Sequence, residues 1–371
     1  LSKKKSKGEK TMKMSFRWYG QGNDPIPLSY VRQIPGVEEI VWTLHTKQAS
    51  ELWTDEEIKS EIQYIESQGL KATIVESVNV HDDIKLGLPT RDAYIETYKE
   101  CLINLAKNGV KVVCYNFMPV FDWTRTDMFH PLPDGSTALF FEREKIMGLT
   151  PQEMVELVEK ESRGLTLPGW EPKRMARIKE LFQAYEGFTE ERLRENFNYF
   201  IDAIIPTCEA YDIKMAIHPD DPPFEIFGLP RLVNNRVNIQ KLLACNESPY
   251  NGLTFCTGSL GANPQNDVVA MINEFKSRIH FMHVRNVRVD PNGDFSEVSH
   301  RTVDGSVDIT GVMSALASFD FNGYIRPDHG RHVFGENETN VRPGYGLYDR
   351  AMGACYLYGS WDMAKRLAPT K

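Results

Sequence analysis

The chain has no C-x-x-C pair, no run of 18 apolar residues and no excess of basic charge, and each of these gaps removes a class of function. Its six cysteines, Cys101, Cys114, Cys208, Cys245, Cys256 and Cys355, are scattered, and 371 residues bury enough core without disulfide staples. They read as reduced thiols. No transmembrane helix is expected, and no apolar stretch of the secretory type follows the basic N-terminus. A net charge of −8 leaves no broad basic face for a phosphate backbone. The run Gly258-Ser259-Leu260-Gly261 lacks the spacing of a dinucleotide or P-loop fingerprint. What remains is a soluble, cytoplasmic protein with a small-molecule partner and neither nucleic acid nor membrane to bind. Residues 1–13, basic and low in complexity, read as an expression remnant, with the native start at Met12 or Met14. No linker or internal repeat divides the rest, so 14–371 reads as one domain.

What is present is a rhythm. Short β-rich runs at 14–19, 38–44, 72–78, 110–117, 214–218, 252–257, 279–286 and 324–328 alternate with helical patterns, among them 54–68, 92–107, 189–211 and 267–278. Thr54, followed by Asp55, Glu56 and Glu57, offers a helix start, and Gly69 supplies its stop. Eight βα units predict an α/β fold, a (β/α)8 TIM barrel. The stretch 118–187 is too long for an ordinary loop and carries helical pieces at 150–161 and 173–184. It is expected to be a long helical cap inserted after strand 4, covering the C-terminal mouth. The Gly- and Asn-rich stretch 330–346 is expected to be a second loop at that mouth.

In such a barrel the reacting groups sit where strands meet the loops that follow them. Strands five to eight end in His218, Cys256, His283 and Asp328, four competent metal ligands about one βα unit apart. Alone, a His at a strand end or an apolar-flanked Cys is usually structural. Four in succession point to one divalent cation. Two imidazoles, a thiolate and a carboxylate would suit zinc, whereas an open octahedral site favours manganese or iron. His81-Asp82-Asp83 reads as a solvated turn rather than a second metal site.

These residues lie in motifs: Phe-Arg-Trp-Tyr-Gly from Phe16, Ala-Ile-His-Pro-Asp-Asp-Pro-Pro from Ala216, Phe-Cys-Thr-Gly-Ser from Phe255, His-Val-Arg-Asn from His283, Arg-Pro-Asp-His-Gly-Arg from Arg326 and Pro-Gly-Tyr-Gly-Leu-Tyr-Asp-Arg from Pro343. Through them the chain resembles the bacterial mannonate dehydratase family, barrels of the xylose-isomerase-like type, from Met14 to its C-terminus. The resemblance implies dehydration of D-mannonate to 2-keto-3-deoxy-D-gluconate in hexuronate breakdown, with Mn2+ as cofactor and Fe2+ as the alternative. It places the ligands on His218, Cys256, His283 and Asp328, and proton transfer on His329 and Tyr345, with Tyr348 as the fallback for the tyrosine.

For the substrate carboxylate and hydroxyls the candidates are Arg17, Trp18, Asn116, Arg125, Arg285 and Asn286. Arg285 ranks first as a bidentate clamp, because it stands two residues beyond His283. Two other readings compete: a metal-dependent isomerase or epimerase on the same barrel, whose product would keep its mass, and a sugar-acid sensor without turnover. A homo-oligomer is expected on base rates alone.

Overall fold

The computed structural model describes residues 12–164, 170 and 172–368. Residues 1–11 of the expected remnant lie outside these, whereas Met12 is buried and Lys13 opens the first strand. In chain order the strands are β1 (Lys13–Arg17), β2 (Val37–Trp42), β3 (Lys71–Glu76), β4 (Val112–Tyr115), β5 (Asp127–Pro131), β6 (Thr137–Phe141), β7 (Lys214–Ile217), β8 (Asn251–Cys256), β9 (Ile279–His283), β10 (Val287–Val289), β11 (Phe295–Glu297) and β12 (Tyr324–Arg326). The order β1-β12-β9-β8-β7-β4-β3-β2 closes a parallel barrel of eight strands, as the βα rhythm requires. Among the described residues no helix is long and apolar enough to cross a membrane.

Local chemistry explains the helices. Thr54 and Glu57 form a reciprocal capping box on the helix Asp55–Ser67, and Thr150 and Glu153 repeat it on Pro151–Glu161. Asp267 caps Val268–Phe275, a helix shorter than the pattern over 267–278 had implied. The barrel helices turn their apolar faces inward, into one buried cluster with outward-facing strand residues such as Met14, Phe16 and Val75.

The other strand face points inward, because successive side chains alternate across a strand. Val41, Ile74, Val112, Cys114, Ala216, Phe281 and Tyr324 fill the barrel interior as a separate apolar cluster. That layer seals the lower barrel. Two residues further along each strand the same inward register reaches the C-terminal mouth.

The cap differs from expectation in one respect: it is not wholly helical. It opens with the hairpin β5–β6, which pairs through β6 with β11 and so joins the β10–β11 hairpin in a four-stranded antiparallel sheet. Turn chemistry marks both hairpins, at Asp134-Gly135 and Asn292-Gly293, and both glycines adopt positive φ, +84° and +90°. Helices at Arg143–Gly148, Pro151–Glu161, Pro172–Met175 and Ile178–Ala184 complete the cap.

The expected solvated turn at His81 is also revised. Asp82 is buried and takes two 3.0 Å hydrogen bonds from Arg174, so it fastens the cap to the loop after β3. Burial alone would raise the Asp82 pKa, but Arg174 and then Lys85 hold it well below the ordinary carboxylate range.

Candidate active site

A cavity of about 470 Å³ opens at the C-terminal mouth, between the strand ends, the cap and the 330–346 loop. Strand parity fills its walls. Glu76 follows Ile74, Asn116 follows Cys114, His218 follows Ala216, and Arg326 then Asp328 follow Tyr324, each at a spacing of two, whereas His283, two beyond Phe281, is fully buried and does not line the cavity.

The four residues expected to hold a metal converge. His218 Nε2 lies 3.1 Å from His283 Nδ1, and the ligand atoms of His218, Cys256 and His283 all fall within 4.8 Å of one another. Asp328 joins them, with Oδ2 3.5 Å from Cys256 Sγ and Oδ1 3.7 Å from His283 Nδ1. Its backbone sits in the left-handed region at φ +48°, strain of the kind that a functional position retains.

Proton placement follows from the partners. His218 Nδ1 is 2.7 Å from the Pro219 carbonyl, which only accepts, so Nδ1 carries the hydrogen and Nε2 offers a lone pair. His283 Nδ1 is 3.4 Å from Arg326 Nη2, which only donates, so Nδ1 keeps its lone pair on the side facing His218, and Nε2 carries the hydrogen 3.3 Å from the Glu76 carboxylate. Two lone pairs 3.1 Å apart, beside a buried carboxylate and a sulfur that accepts from Ser259 N and Oγ, form a donor set suited to a divalent transition metal.

Glu76 was missed in the sequence, although an acidic residue inside the β-run Thr73-Ile74-Val75-Glu76 is a visible anomaly. Burial pushes its carboxyl up, but Arg326, His283 and Arg17 together bring it well below the ordinary range. It therefore stays charged and orients His283. Glu76→Gln should weaken divalent metal binding about 10- to 100-fold, read by competition with a chromophoric chelator; unchanged affinity would remove this role.

At the same mouth His329 Nε2 lies 3.0 Å from the Tyr345 hydroxyl, and His329 Nδ1 lies 3.3 Å from Glu297 Oε1. Tyr345 is buried, and burial, reinforced by Tyr19, pushes its hydroxyl well above the usual phenol value. Tyr348 is half exposed on the last helix and meets Phe334 edge to face, away from this pair.

The six substrate-binding candidates separate. Arg17 and Asn116 line the cavity. Trp18 is one residue out of register, so it faces the helices, donates to Ile26 O and stacks on Tyr64. Asn286 is buried beneath the loop, donating to Arg301 O and accepting from Val307 N.

Arg125 and Arg285 lie in a buried ionic cluster rather than on the cavity wall. Arg125 binds Asp221 at 2.8 and 3.0 Å and Glu297 at 2.9 Å. Arg285 binds Glu297 at 2.6 Å, Asp221 at 2.7 Å and Asp328 at 2.8 Å. The clamp assigned to Arg285 is therefore turned inward, onto the protein's own carboxylates. Gly258 makes the space, since a Cβ there would stand 2.6 Å from the Arg285 side chain. Asp221 and Glu297, unforeseen in the sequence, hold both guanidiniums, and Glu297 also reaches His329.

Comparison with known proteins gives one answer. Residues 12–371 match the family described as D-mannonate dehydratase (UxuA). Mannonate dehydratase of Bacillus subtilis (strain 168) is 57% identical over 357 residues, covering 96% of this chain and 98% of its own. That of Endomicrobium trichonymphae is 53% identical over 360 residues, covering 97% and 98%. The crystal structure of mannonate dehydratase from Streptococcus suis serotype 2 superposes with a TM-score of 0.87 at 42% identity, covering 97% of each chain. A xylose isomerase domain protein from Planctomyces limnophilus, 10% identical with a TM-score of 0.54 over 96% of this chain and 99% of that one, shares the fold.

Proposed function

The chain belongs to the D-mannonate dehydratase family and removes water from D-mannonate, and on that premise we propose that His218, Cys256, His283 and Asp328 hold a divalent ion while His329 and Tyr345 move the protons. Mn2+ is the proposed ion and Fe2+ the alternative. When bound, such an ion supplies Lewis-acid stabilisation of negative charge developing on the substrate.

The observation that carries the assignment is the 3.0 Å contact between His329 and Tyr345 at the wall of the cavity where the four donors converge. A hydrogen next to an ionised carboxylate is weakly acidic, so its removal needs a base already aimed and desolvated. Glu297 takes the Nδ1 hydrogen of His329, which leaves Nε2 unprotonated to accept the C2 proton. Tyr345 holds its own proton at neutral pH and delivers it to the departing C3 hydroxyl. The imidazolium then returns a proton to the phenolate across the shared hydrogen bond, resetting both groups. Water leaves, and the enol relaxes to the 2-keto-3-deoxy acid. The cap, anchored through Arg125 and through Arg174, shields these steps from bulk water.

The test is to strip the protein with chelator, restore Mn2+ or Fe2+, and follow 2-keto-3-deoxy acid from D-mannonate beside a panel of other aldonates. Restored product formation supports the metal assignment. Full activity in chelator would overturn it, and a product of unchanged mass would favour an isomerase.

Tyr345→Phe should lower kcat about 100- to 10,000-fold with metal retained. In deuterated water this variant should still exchange the C2 hydrogen of D-mannonate, whereas His329→Gln should not; the reverse pattern would exchange the two roles.

A further inference from the structure

We propose that Arg17, with Arg326 beside it, is the anchor for the substrate carboxylate. The assignment rests on the dehydratase activity; it moves the first rank from Arg285 to Arg17, one of the candidates from the sequence, and adds Arg326, which was not among them. Among the described residues, three Lys or Arg side chains line the cavity: Arg17, Lys47 and Arg326. Lys47 is neutralised by Glu57 at 2.7 Å. The other two are only 2% and 1% exposed, and they sit on adjacent strands, since β1 pairs directly with β12.

Arg17 has no carboxylate at ion-pair distance among the described residues. Its Nη1 donates to the carbonyls of Trp18, at 2.7 Å, and Val41, at 3.1 Å, which fixes the guanidinium plane. The edge formed by Nε and Nη2 has no hydrogen-bond partner among the described residues, and two parallel N–H groups on one edge match the two oxygens of a carboxylate. Arg326 is held from one side only: Nη2 meets Glu76 Oε1 at 2.9 Å and Asp328 Oδ1 at 2.7 Å. Its Nε and Nη1 are buried without a partner.

The buried Nε and Nη1 of Arg326 are charged donors that are costly to leave unsatisfied, and with the open edge of Arg17 they border the cavity that takes an anionic substrate. Arg125 and Arg285 do not serve in this way: neither lines the cavity, and their Nη groups already bind Asp221 and Glu297. Arg326 also ties the anchor to the reaction centre through Asp328. A carboxylate held there would lie beside the metal-ligand set, with C2 and C3 extending toward His329 and Tyr345.

The experiment separates charge recognition from structural support. In the metal-loaded enzyme, kcat/KM for D-mannonate is measured with the inhibition constant of D-mannonamide, which keeps the chain and hydroxyls but lacks the charge. Wild-type turnover, recorded first, reports on the activity itself. Arg17→Met should lower kcat/KM for D-mannonate about 10- to 100-fold and leave the amide's inhibition constant within about twofold. Arg17→Lys, which retains the charge and is the safer variant for folding, should fall between wild type and Met for the acid and match wild type for the amide. A parallel loss for acid and amide would show a structural role and overturn the proposal, as would kcat/KM within about twofold of wild type in both variants.

Discussion

Cys256→Ser and His218→Ala should each lower turnover by at least about a thousandfold, because a Lewis acid contributes several kcal/mol of charge stabilisation and each 1.4 kcal/mol is a factor of ten. Both side chains stand in the converging donor set, with Cys256 closing β8 and His218 directly following β7. Metal content by atomic emission should fall with activity. The thermal unfolding midpoint of the chelator-treated protein should stay near that of the chelator-treated parent, because the sealed layer of Val41, Ile74, Phe281 and their neighbours lies below the site. Retained metal and retained turnover in either variant would dismiss the donor set. Loss of the fold would mean that the mouth supports the barrel.

Arg285→Met carries the largest expected effect on stability. The substitution keeps much of the side-chain bulk but takes one guanidinium from Glu297, Asp221 and Asp328, all buried, leaving Arg125 alone for the first two and Arg326 for the third. Removing one partner from a buried ion cluster costs about 3–5 kcal/mol, a sizeable part of a domain's total of about 5–15 kcal/mol. Equilibrium unfolding in urea would read it. Adding Glu297→Gln to Arg285→Met should recover part of the loss, because Arg125 then has one buried carboxylate fewer to compensate. A single variant as stable as the parent would mean that the cluster confers position and not stability.

The same cluster gives a pH signature. Burial raises the Glu297 carboxyl, but Arg285, then His329 and Arg125, bring it down to about 2 from an ordinary 4.5. A carboxyl lowered in the folded state stabilises the protein fully above its unfolded value and loses that contribution as pH falls through the folded one. Acid unfolding should therefore lose this contribution between about pH 4.5 and pH 2, and Glu297→Gln should flatten that part of the curve.

The four converging donors were legible because they obey local rules. Period-two alternation inside a barrel fixes which residues face inward, and the end of each strand fixes which of these reach the mouth. His218, Cys256, His283 and Asp328 could be selected from one dimension on that basis. The same alternation, applied strictly, would have excluded Trp18, which follows inward-facing Arg17 and turns to the helices. Applied to β3 it would have included Glu76. The cap hairpin, too, had its signal in Asp134-Gly135 and Asn292-Gly293.

The arginines were not legible, and the reason is physical. Arg17, Arg125, Arg285 and Arg326 are all buried cations near one mouth, equivalent as residue types. Whether a guanidinium faces substrate or protein depends on which carboxylates reach it from distant segments. Asp221 follows β7, Glu297 lies on β11, and both meet Arg125 from the cap and Arg285 after β9. The sequence alone determined the βα rhythm, the barrel and the four positions whose donor atoms converge at its mouth, since each depends on periodicity and capping within one unit. The tertiary structure alone decided which charges neutralise one another and which remain to meet a ligand, because Coulomb pairing depends on distance in space rather than on distance along the chain.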